Sequence, residues 1–428
     1  MTPRNLSDRH RRVLPRWVTT YYDQPLQPVS ASGRTVTDAH GVDHLDFFAG
    51  ILTNTLGYGI PEFRRALDRQ LDSGIVHTST LYLIDAQVRL AERLAEQSGI
   101  DDAVVFFVNS GTEANDTALL AATCRTGSNH VIALTDSYHG RSLTSSAVSG
   151  LPGWRPSPYS PFDVTFASNG RTSPDGDEHP PRDPVADLEA RLAGKAPPAA
   201  LIVEPVQGLG GFHTPPTGLL QRYARIAARH GAVLICDEVQ TAWGRTGRAW
   251  WGHQLHHLAP DVITFAKGTA NGLPLGGVIA RRDVLDSIPG RSISTFGGNP
   301  LACSAALATL DHLLDHDLQG NAEKAGQHLL GELHRLETAH AHLTGSRGQG
   351  LMLAVDVVDP RTGLPDPAAA RVLVEACRTH GLLIGSGGRH GNSLRIAPPL
   401  TVTEGEIAAA ARILAVAAQH GVTAAATA

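Results

Sequence analysis

Cysteine, aromatic residues and charge are all scarce in this chain, and it has no long apolar run. The four cysteines (Cys124, Cys236, Cys303 and Cys377) lie far apart and lack metal-ligand spacing. Cys124, Cys236 and Cys377 sit in apolar or helical settings, so they read as reduced core thiols and not as a disulfide framework. Only 18% of residues are charged and the net charge is −5, which leaves no footprint for nucleic acid or an anionic membrane. No apolar stretch approaches the roughly 20 residues that span a bilayer. The opening MTPRNLSDRHRRVLPRW has charge but no apolar core, so it does not read as a secretory signal. A cytoplasmic protein is expected. Histidines are plentiful but scattered, and His256-His257 has no partner at zinc spacing, so no metal is expected.

What is present suits a large enzyme. A chain of 428 residues is long enough for two or three domains, and 44 glycines with 27 prolines favour a loop-rich molecule over a helical bundle. The stretch Val233 to Gly268 organises the rest. Its two short apolar runs, Val233 to Cys236 and Val262 to Ala266, read as buried parallel strands. The first ends in Asp237-Glu238 and the second in Lys267. Ligand crevices in open α/β sheets lie at the carboxyl ends of strands, so a carboxylate and an amine arrive at one edge. Lys267 has two readings: a strand-end lysine reaching water, or a desolvated amine whose lowered pKa suits Schiff-base chemistry. Pyridoxal phosphate (PLP) enzymes need such a lysine together with a carboxylate for the pyridine nitrogen, a role open to Asp237.

Taken in order, the chain opens with an irregular segment. Gly33 to Asp38 and Gly41 to Asp46 read as a hairpin, and Gly50 to Gly57 as a loop. Helices are expected from Pro61 to about Leu71 and from Asp85 to Gln97. Then a pattern of strand, polar tip and helix repeats. Ala103 to Val108 leads into Asn109-Ser110-Gly111-Thr112-Glu113-Ala114-Asn115, Val131 to Leu134 into Ser137-Tyr138-His139-Gly140-Arg141, and Ala200 to Val203 into Glu204-Pro205-Val206-Gln207-Gly208. With the two organising strands this makes five, in a mostly parallel α/β domain. Ser168 to Pro184 reads as a surface excursion. A long helix follows Asn299-Pro300. The rest reads as a smaller α+β domain: strands Leu351 to Val357, Leu382 to Ile384 and Ser393 to Ile396, and helices Ala368 to His380 and Glu404 to His420.

Several tips have chemical potential. Ser110-Gly111-Thr112 at a helix start offers free N–H groups and a positive dipole to an anion, and equally reads as an ordinary N-cap. Tyr138 is either a core aromatic or a stacking platform for a planar ring. Gln240 either hydrogen-bonds a phenolic oxygen or faces solvent. Arg395, between apolar neighbours on a strand, serves either a structural ion pair, with Glu204 of the right sign, or a carboxylate site. Gly208-Leu209-Gly210-Gly211 lacks the strand and helix context of a dinucleotide fingerprint.

Six stretches in this order resemble a class III aminotransferase of the PLP-dependent fold-type I superfamily. They are Ser110 to Asn115, Tyr138 to Arg141, Glu204-Pro205, Asp237 to Gln240, Ala266-Lys267-Gly268, and Thr295-Phe296-Gly297-Gly298-Asn299-Pro300. Within the class, Tyr21 to Leu26 and Asp46 to Ile51 resemble the alanine–glyoxylate aminotransferase 2-like branch. The resemblance implies fold type I: a large domain with a mostly parallel seven-stranded-type sheet between helices, plus a smaller α+β domain. The expected division is 1–60 as an N-terminal segment, 61–298 as the PLP-binding domain and 299–428 as the small domain.

It also implies roles. Lys267 forms the Schiff base with PLP and moves the proton, and Asp237 pairs with the pyridinium nitrogen. Ser110, Gly111 and Thr112 hold the phosphate, with Thr295 supplied by the second subunit of a homodimer. Tyr138 and Val239 cover the ring, and Gln240 reaches its oxygen. Arg395 binds the substrate α-carboxylate, Glu204 neutralises it when the substrate has none, and Arg141 is a second carboxylate anchor. Tyr22, Ile51, Leu52, Trp154 and Phe296 are expected pocket walls. The family's usual glycine after Gln-Thr is Ala242 here. The implied reaction is transamination from an amino acid or amine donor to a keto acid or aldehyde. Racemase, phospho-lyase and decarboxylase chemistry on the same framework is the rival reading, and a non-catalytic homologue the third.

Overall fold

The computed structural model describes residues 6–171 and 183–425. Most of the expected excursion from Ser168 to Pro184 therefore lies outside the described residues. A seven-stranded sheet stands at the centre, from β1 (Ala103–Val108), β2 (His130–Leu134), β3 (Asp163–Ala167) and β4 (Ala200–Val203) to β5 (Val233–Asp237), β6 (Val262–Phe265) and β7 (Gly276–Arg281). Their order is β1-β7-β6-β5-β4-β2-β3. Only β7 runs against its neighbours, pairing antiparallel with β1 and β6. Five of the seven strands are the expected ones. The additions have weak signatures: β3 is a half-exposed edge and β7 opens on two glycines.

Alternate side chains of these strands face opposite ways, as strand geometry requires. Ile235 and Ile202 pack with Ala114, Ala118 and Ala122 of the helix Gly111–Thr126 on one side. Leu234, Cys236 and Leu201 pack with Leu220, Tyr223 and Ile226 of the helix Leu219–Arg229 on the other. Helices on both faces bury the sheet and leave its strand ends as the accessible edge.

A four-stranded sheet pairs Pro28–Ser32, Thr35–Asp38, Asp43–Asp46 and, in parallel with the last, Leu382–Leu383. A second joins Leu343–Gln349, Met352–Val357, Ser393–Ile396 and Gly385–Gly387. Two expectations need correction. The helix begun at Pro300 is two helices, Pro300–Asp315 and Leu318–Ala339, broken where Asp317 takes φ 45°. The expected loop after Gly50 opens with a compact turn in which Ala49, Gly50, Ile51 and Leu52 all have positive φ, from 50° to 66°. Each non-glycine residue in that conformation costs roughly 1–2 kcal/mol. Ala242 needs no such backbone; the left-handed residue there is Trp243, with φ 68°. Among the described residues no helix is long and apolar enough to cross a membrane.

Candidate active site

The carboxyl ends of β1, β2, β4, β5 and β6 converge on one cleft of about 290 Å³. Ser110, Gly111, Thr112, Tyr138, Glu204, Asp237, Val239, Gln240 and Lys267 all line it. Ser110 caps the sixteen-residue helix, its Oγ accepting from Glu113 N at 3.2 Å. The first-turn N–H groups of that helix are the ones that favour an anion. A Cβ on Gly111 would stand 2.9 Å from Val239 Cγ2, so only glycine lets the helix start approach this wall.

Asp237, 4% exposed, is oriented by a closed set of donors. Its Oδ2 accepts from Asn115 Nδ2 at 2.8 Å and lies 2.8 Å from His139 Nδ1, while Oδ1 accepts from Val239 N at 3.1 Å. The second amide hydrogen of Asn115 goes to the His139 carbonyl at 2.7 Å, and its oxygen accepts from Thr264 Oγ1 at 2.7 Å. Every polar atom of that amide is used, which fixes its orientation. Lys267 follows β6 with φ 43°, a strained backbone of the kind functional sites hold. Burial pulls its amine below the ordinary lysine range against the opposing pull of Asp237 and Glu204. Burial also raises Glu204 to about 7.

Arg395 lies beside the cleft, 4% exposed, and is not paired with Glu204. Its Nε donates to Ser386 O at 2.9 Å and its Nη1 to Gly208 O at 3.3 Å. The rings of Phe48 and Phe212 pack on it at 5.2 and 5.5 Å. Both Glu204 oxygens are instead held by backbone: Oε1 accepts from Tyr138 N at 2.7 Å and Oε2 from Gly208 N at 2.9 Å. The neutralising contact expected between these two side chains is therefore absent.

Three expected residues lie elsewhere. Tyr22 packs against Arg378, whose guanidinium is 5.9 Å from its ring, and the tyrosine beside Arg395 is Tyr21, bonded to Ser386 Oγ at 2.9 Å. Arg141 turns outward over Trp17, 5.5 Å from the ring. Phe296 is exposed and does not line this cleft, meeting His77 at 4.9 Å, while Thr295, expected in the site of a second subunit, is exposed as well. Of the other walls, Trp154 meets Tyr138 edge-on at 5.4 Å, Leu52 is buried, and Ile51 is 49% exposed. The sequence reading gave no role to Asn115, His139, Tyr21 or Phe48. Asn115 had a signal: it follows Gly111 by four residues, so it shares the face that starts the helix.

The residues fit a phosphorylated pyridine cofactor. The helix start suits its phosphate, Asp237 a protonated ring nitrogen, and the buried Gln240 Oε1, which has no partner, faces the same cleft. An α/β sheet with an anion cradle, a buried carboxylate and a lysine in one cleft defines the fold-type I, PLP-dependent class of enzyme. The chain belongs to the class III aminotransferase family, whose model matches residues 19–417. It is therefore a PLP-dependent transaminase. An acetylornithine aminotransferase of Mycolicibacterium smegmatis is 38% identical over 92% of this chain and 95% of its own length. Alanine–glyoxylate aminotransferase 2 homolog 2 of Arabidopsis thaliana is 34% identical over 90% of this chain and 80% of its own, so the family spans both kinds and neither branch is singled out. Among solved structures, a phospholyase from Arthrobacter in complex with phosphoethanolamine superposes with a TM-score of 0.86 at 28% identity, covering 97% of this chain and 99% of that one.

Proposed function

We propose that this transaminase takes its amino group from donors bearing an α-carboxylate and passes it to a keto acid or aldehyde. The observation that carries this reading is Arg395, a buried guanidinium packed under two rings, whose hydrogen bonds among the described residues go to two carbonyls and to no carboxylate. A buried charge is rarely left without a partner, and a bidentate substrate carboxylate supplies one. When bound, PLP supplies an aldehyde for amines and a ring that withdraws electrons from the substrate α-carbon.

Lys267 would hold that aldehyde and, once an incoming amine has displaced it and freed its Nζ, would carry the α-carbon proton. The lowered pKa of its amine suits both tasks. Asp237 would favour a protonated ring nitrogen, Ser110, Gly111 and Thr112 would hold the phosphate, Tyr138 and Val239 would flank the ring, and Gln240 would meet its oxygen. Arg141, freed from Trp17, would serve a second carboxylate, and Tyr21, in place of the expected wall Tyr22, stands by Arg395.

The working unit proposed is a homodimer in which Thr295 completes the phosphate site of the other copy. Its support is the exposure of Thr295 away from its own cleft, beside Ile293 at 63% exposure, and of Leu81 and Leu83 at 77% and 97%. The chain divides as 1–60, 61–298 and 299–428, with the central sheet inside the second part and the helix Pro300–Asp315 packed back onto it. Four unpaired cysteines agree with a reducing compartment, and we place the protein in the cytoplasm.

The test mixes holoenzyme with a panel of amino acids and amines, follows loss of the cofactor absorbance, then adds keto acids and aldehydes. Recovery of the absorbance establishes amino transfer. Release of phosphate or carbon dioxide without recovery would replace it with lyase or decarboxylase turnover.

A further inference from the structure

The segment from Asp46 to Tyr58 joins two parts of the site and holds a strained turn between them. At its start, the Phe47 carbonyl accepts from Ala397 N at 2.7 Å. The Phe48 ring lies 5.2 Å from the Arg395 guanidinium and stacks on Tyr21 at 5.9 Å. Toward its end, Thr53 lines the cofactor cleft and Leu56 N donates at 2.9 Å to Asn271 Oδ1, on the turn that follows Lys267. Between these anchors lie the four residues of positive φ. Leu52 N donates to Phe48 O at 3.0 Å and Thr53 N to Ala49 O at 2.8 Å, which makes one turn of left-handed helix.

Sequence preference does not select that turn, although Ala49 and Leu52 are buried within it. Only Gly50 of the four is glycine, and Ile51 is β-branched, half-exposed and held at φ 66°. Such a residue is a true outlier, so its surroundings must hold it. Inside the turn the Thr53 hydroxyl donates to Gly50 O at 2.9 Å, while Asp46, 4% exposed, caps its start. Its Oδ1 accepts from the N–H groups of Phe48 at 3.0 Å and Ala49 at 2.8 Å. Its Oδ2 accepts from the Tyr58 hydroxyl at 2.6 Å, and that oxygen accepts from Asn54 Nδ2 at 2.9 Å. Both ends of the turn are thus tied to one carboxylate.

We propose that Asp46 is a positioning residue for recognition of the substrate carboxylate: by holding the left-handed turn, it sets the Phe48 ring against Arg395. With Nε and Nη1 on carbonyls and the Phe48 ring packed over its plane, the guanidinium has little freedom to turn. If the turn relaxes, Phe48 withdraws and Arg395 loses the orientation that a bidentate contact needs. The inference rests on the reading that Arg395 takes the substrate α-carboxylate.

The test compares an α-amino acid with its decarboxylated amine on holoenzyme, reading KM and kcat and the first half-reaction as loss of cofactor absorbance. Asp46→Ala should raise KM for the acid about ten- to a hundredfold, the size of effect that a small misplacement produces. Its kcat at saturation and its rates with the amine should stay close to wild type. Asp46→Asn, which restores an acceptor for the two N–H groups, should recover most of the loss. Tyr58→Phe, which removes only the outer tie, should give a smaller shift in the same sense and decides the matter if Asp46→Ala does not fold. Equal losses on acid and amine, or an unchanged KM for the acid, would overturn the proposal. Arg395→Ala separates the two layers. If it affects acid and amine alike, the carboxylate reading falls and this inference with it; if it discriminates and the Asp46 and Tyr58 variants do not, only this inference falls.

Discussion

Glu204 and Arg395 are joined through Gly208 and do not touch each other. The Gly208 N–H donates to Glu204 Oε2 at 2.9 Å, and its carbonyl accepts from Arg395 Nη1 at 3.3 Å. With Oε1 holding Tyr138 N at 2.7 Å, the carboxylate cannot leave for Arg395 without orphaning two backbone donors. Each buried orphan costs about 1–3 kcal/mol. Glu204→Ala is therefore expected to lower kcat/KM for an α-amino acid and for its amine alike. Were Glu204 instead to neutralise Arg395, as the family resemblance implies, its removal would favour carboxylate-bearing donors. An acid-selective gain in this variant would show that Glu204 does swing onto Arg395.

The same carboxyl makes stability depend on pH. Burial raises it from 4.5 to about 7, so in that window the folded chain holds a proton that the unfolded chain has released. Its stabilising contribution is complete below about pH 4.5 and is lost as pH rises through about 7. Thermal melts across this window should show the wild type losing Tm more steeply than Glu204→Gln, which has no proton to release. Parallel slopes for the two proteins would mean that Glu204 does not titrate there.

His139 and Asn115 reach the chemistry through Asp237. Removing either leaves the carboxylate with one charge-assisted hydrogen bond fewer, worth about 1.5–3 kcal/mol. His139→Phe and Asn115→Ala should each lower kcat about ten- to a hundredfold, by the tenfold per 1.36 kcal/mol of barrier. The pH at which the cofactor absorbance titrates should move as well, which a merely structural loss would not produce. An unmoved titration would assign both residues to packing alone.

What the sequence made legible follows from how local each signal is. Strands β4, β5 and β6 announce themselves as apolar runs because both faces are covered, and their polar tips then place Glu204, Asp237 and Lys267 at one edge. Strand β7 was missed because Gly276-Gly277 carries no strand preference; it forms because Val278 and Ile279 find partners on β1 and β6. Tyr22 was placed at the pocket and Tyr21 was not, although they are neighbours, because which of two adjacent side chains faces Arg395 depends on a contact to Ser386 far along the chain. The left-handed turn is hidden for another reason: its contacts, Asp46 with Ala49 N and the Tyr58 hydroxyl, are near in sequence but follow no helix or strand period.

Lys267→Ala should abolish multiple turnover and leave the far-ultraviolet circular dichroism unchanged. The lysine lines a cleft and fills no core volume, so its truncation opens no cavity. The variant should still retain cofactor without a covalent link, because the helix start and Asp237 remain. Normal turnover in this protein would remove Lys267 from the mechanism.

Asp237→Asn tests the other half of the pairing while preserving shape. The amide still accepts at its oxygen, but its nitrogen cannot accept the hydrogen bonds that Asn115 and His139 direct at Oδ2. The same change removes the negative charge that favours a protonated ring nitrogen, and a neutral pyridine is a poor electron sink. Both effects act on the barrier more than on substrate binding, so kcat should fall by several orders of magnitude while KM changes little. A loss smaller than about tenfold, roughly 1.4 kcal/mol, would mean that Asp237 does not serve the ring nitrogen. Measuring cofactor affinity in parallel keeps the conclusion specific. If kcat falls only because PLP leaves, saturating cofactor restores it, and Asp237 is then an anchor without an electronic role.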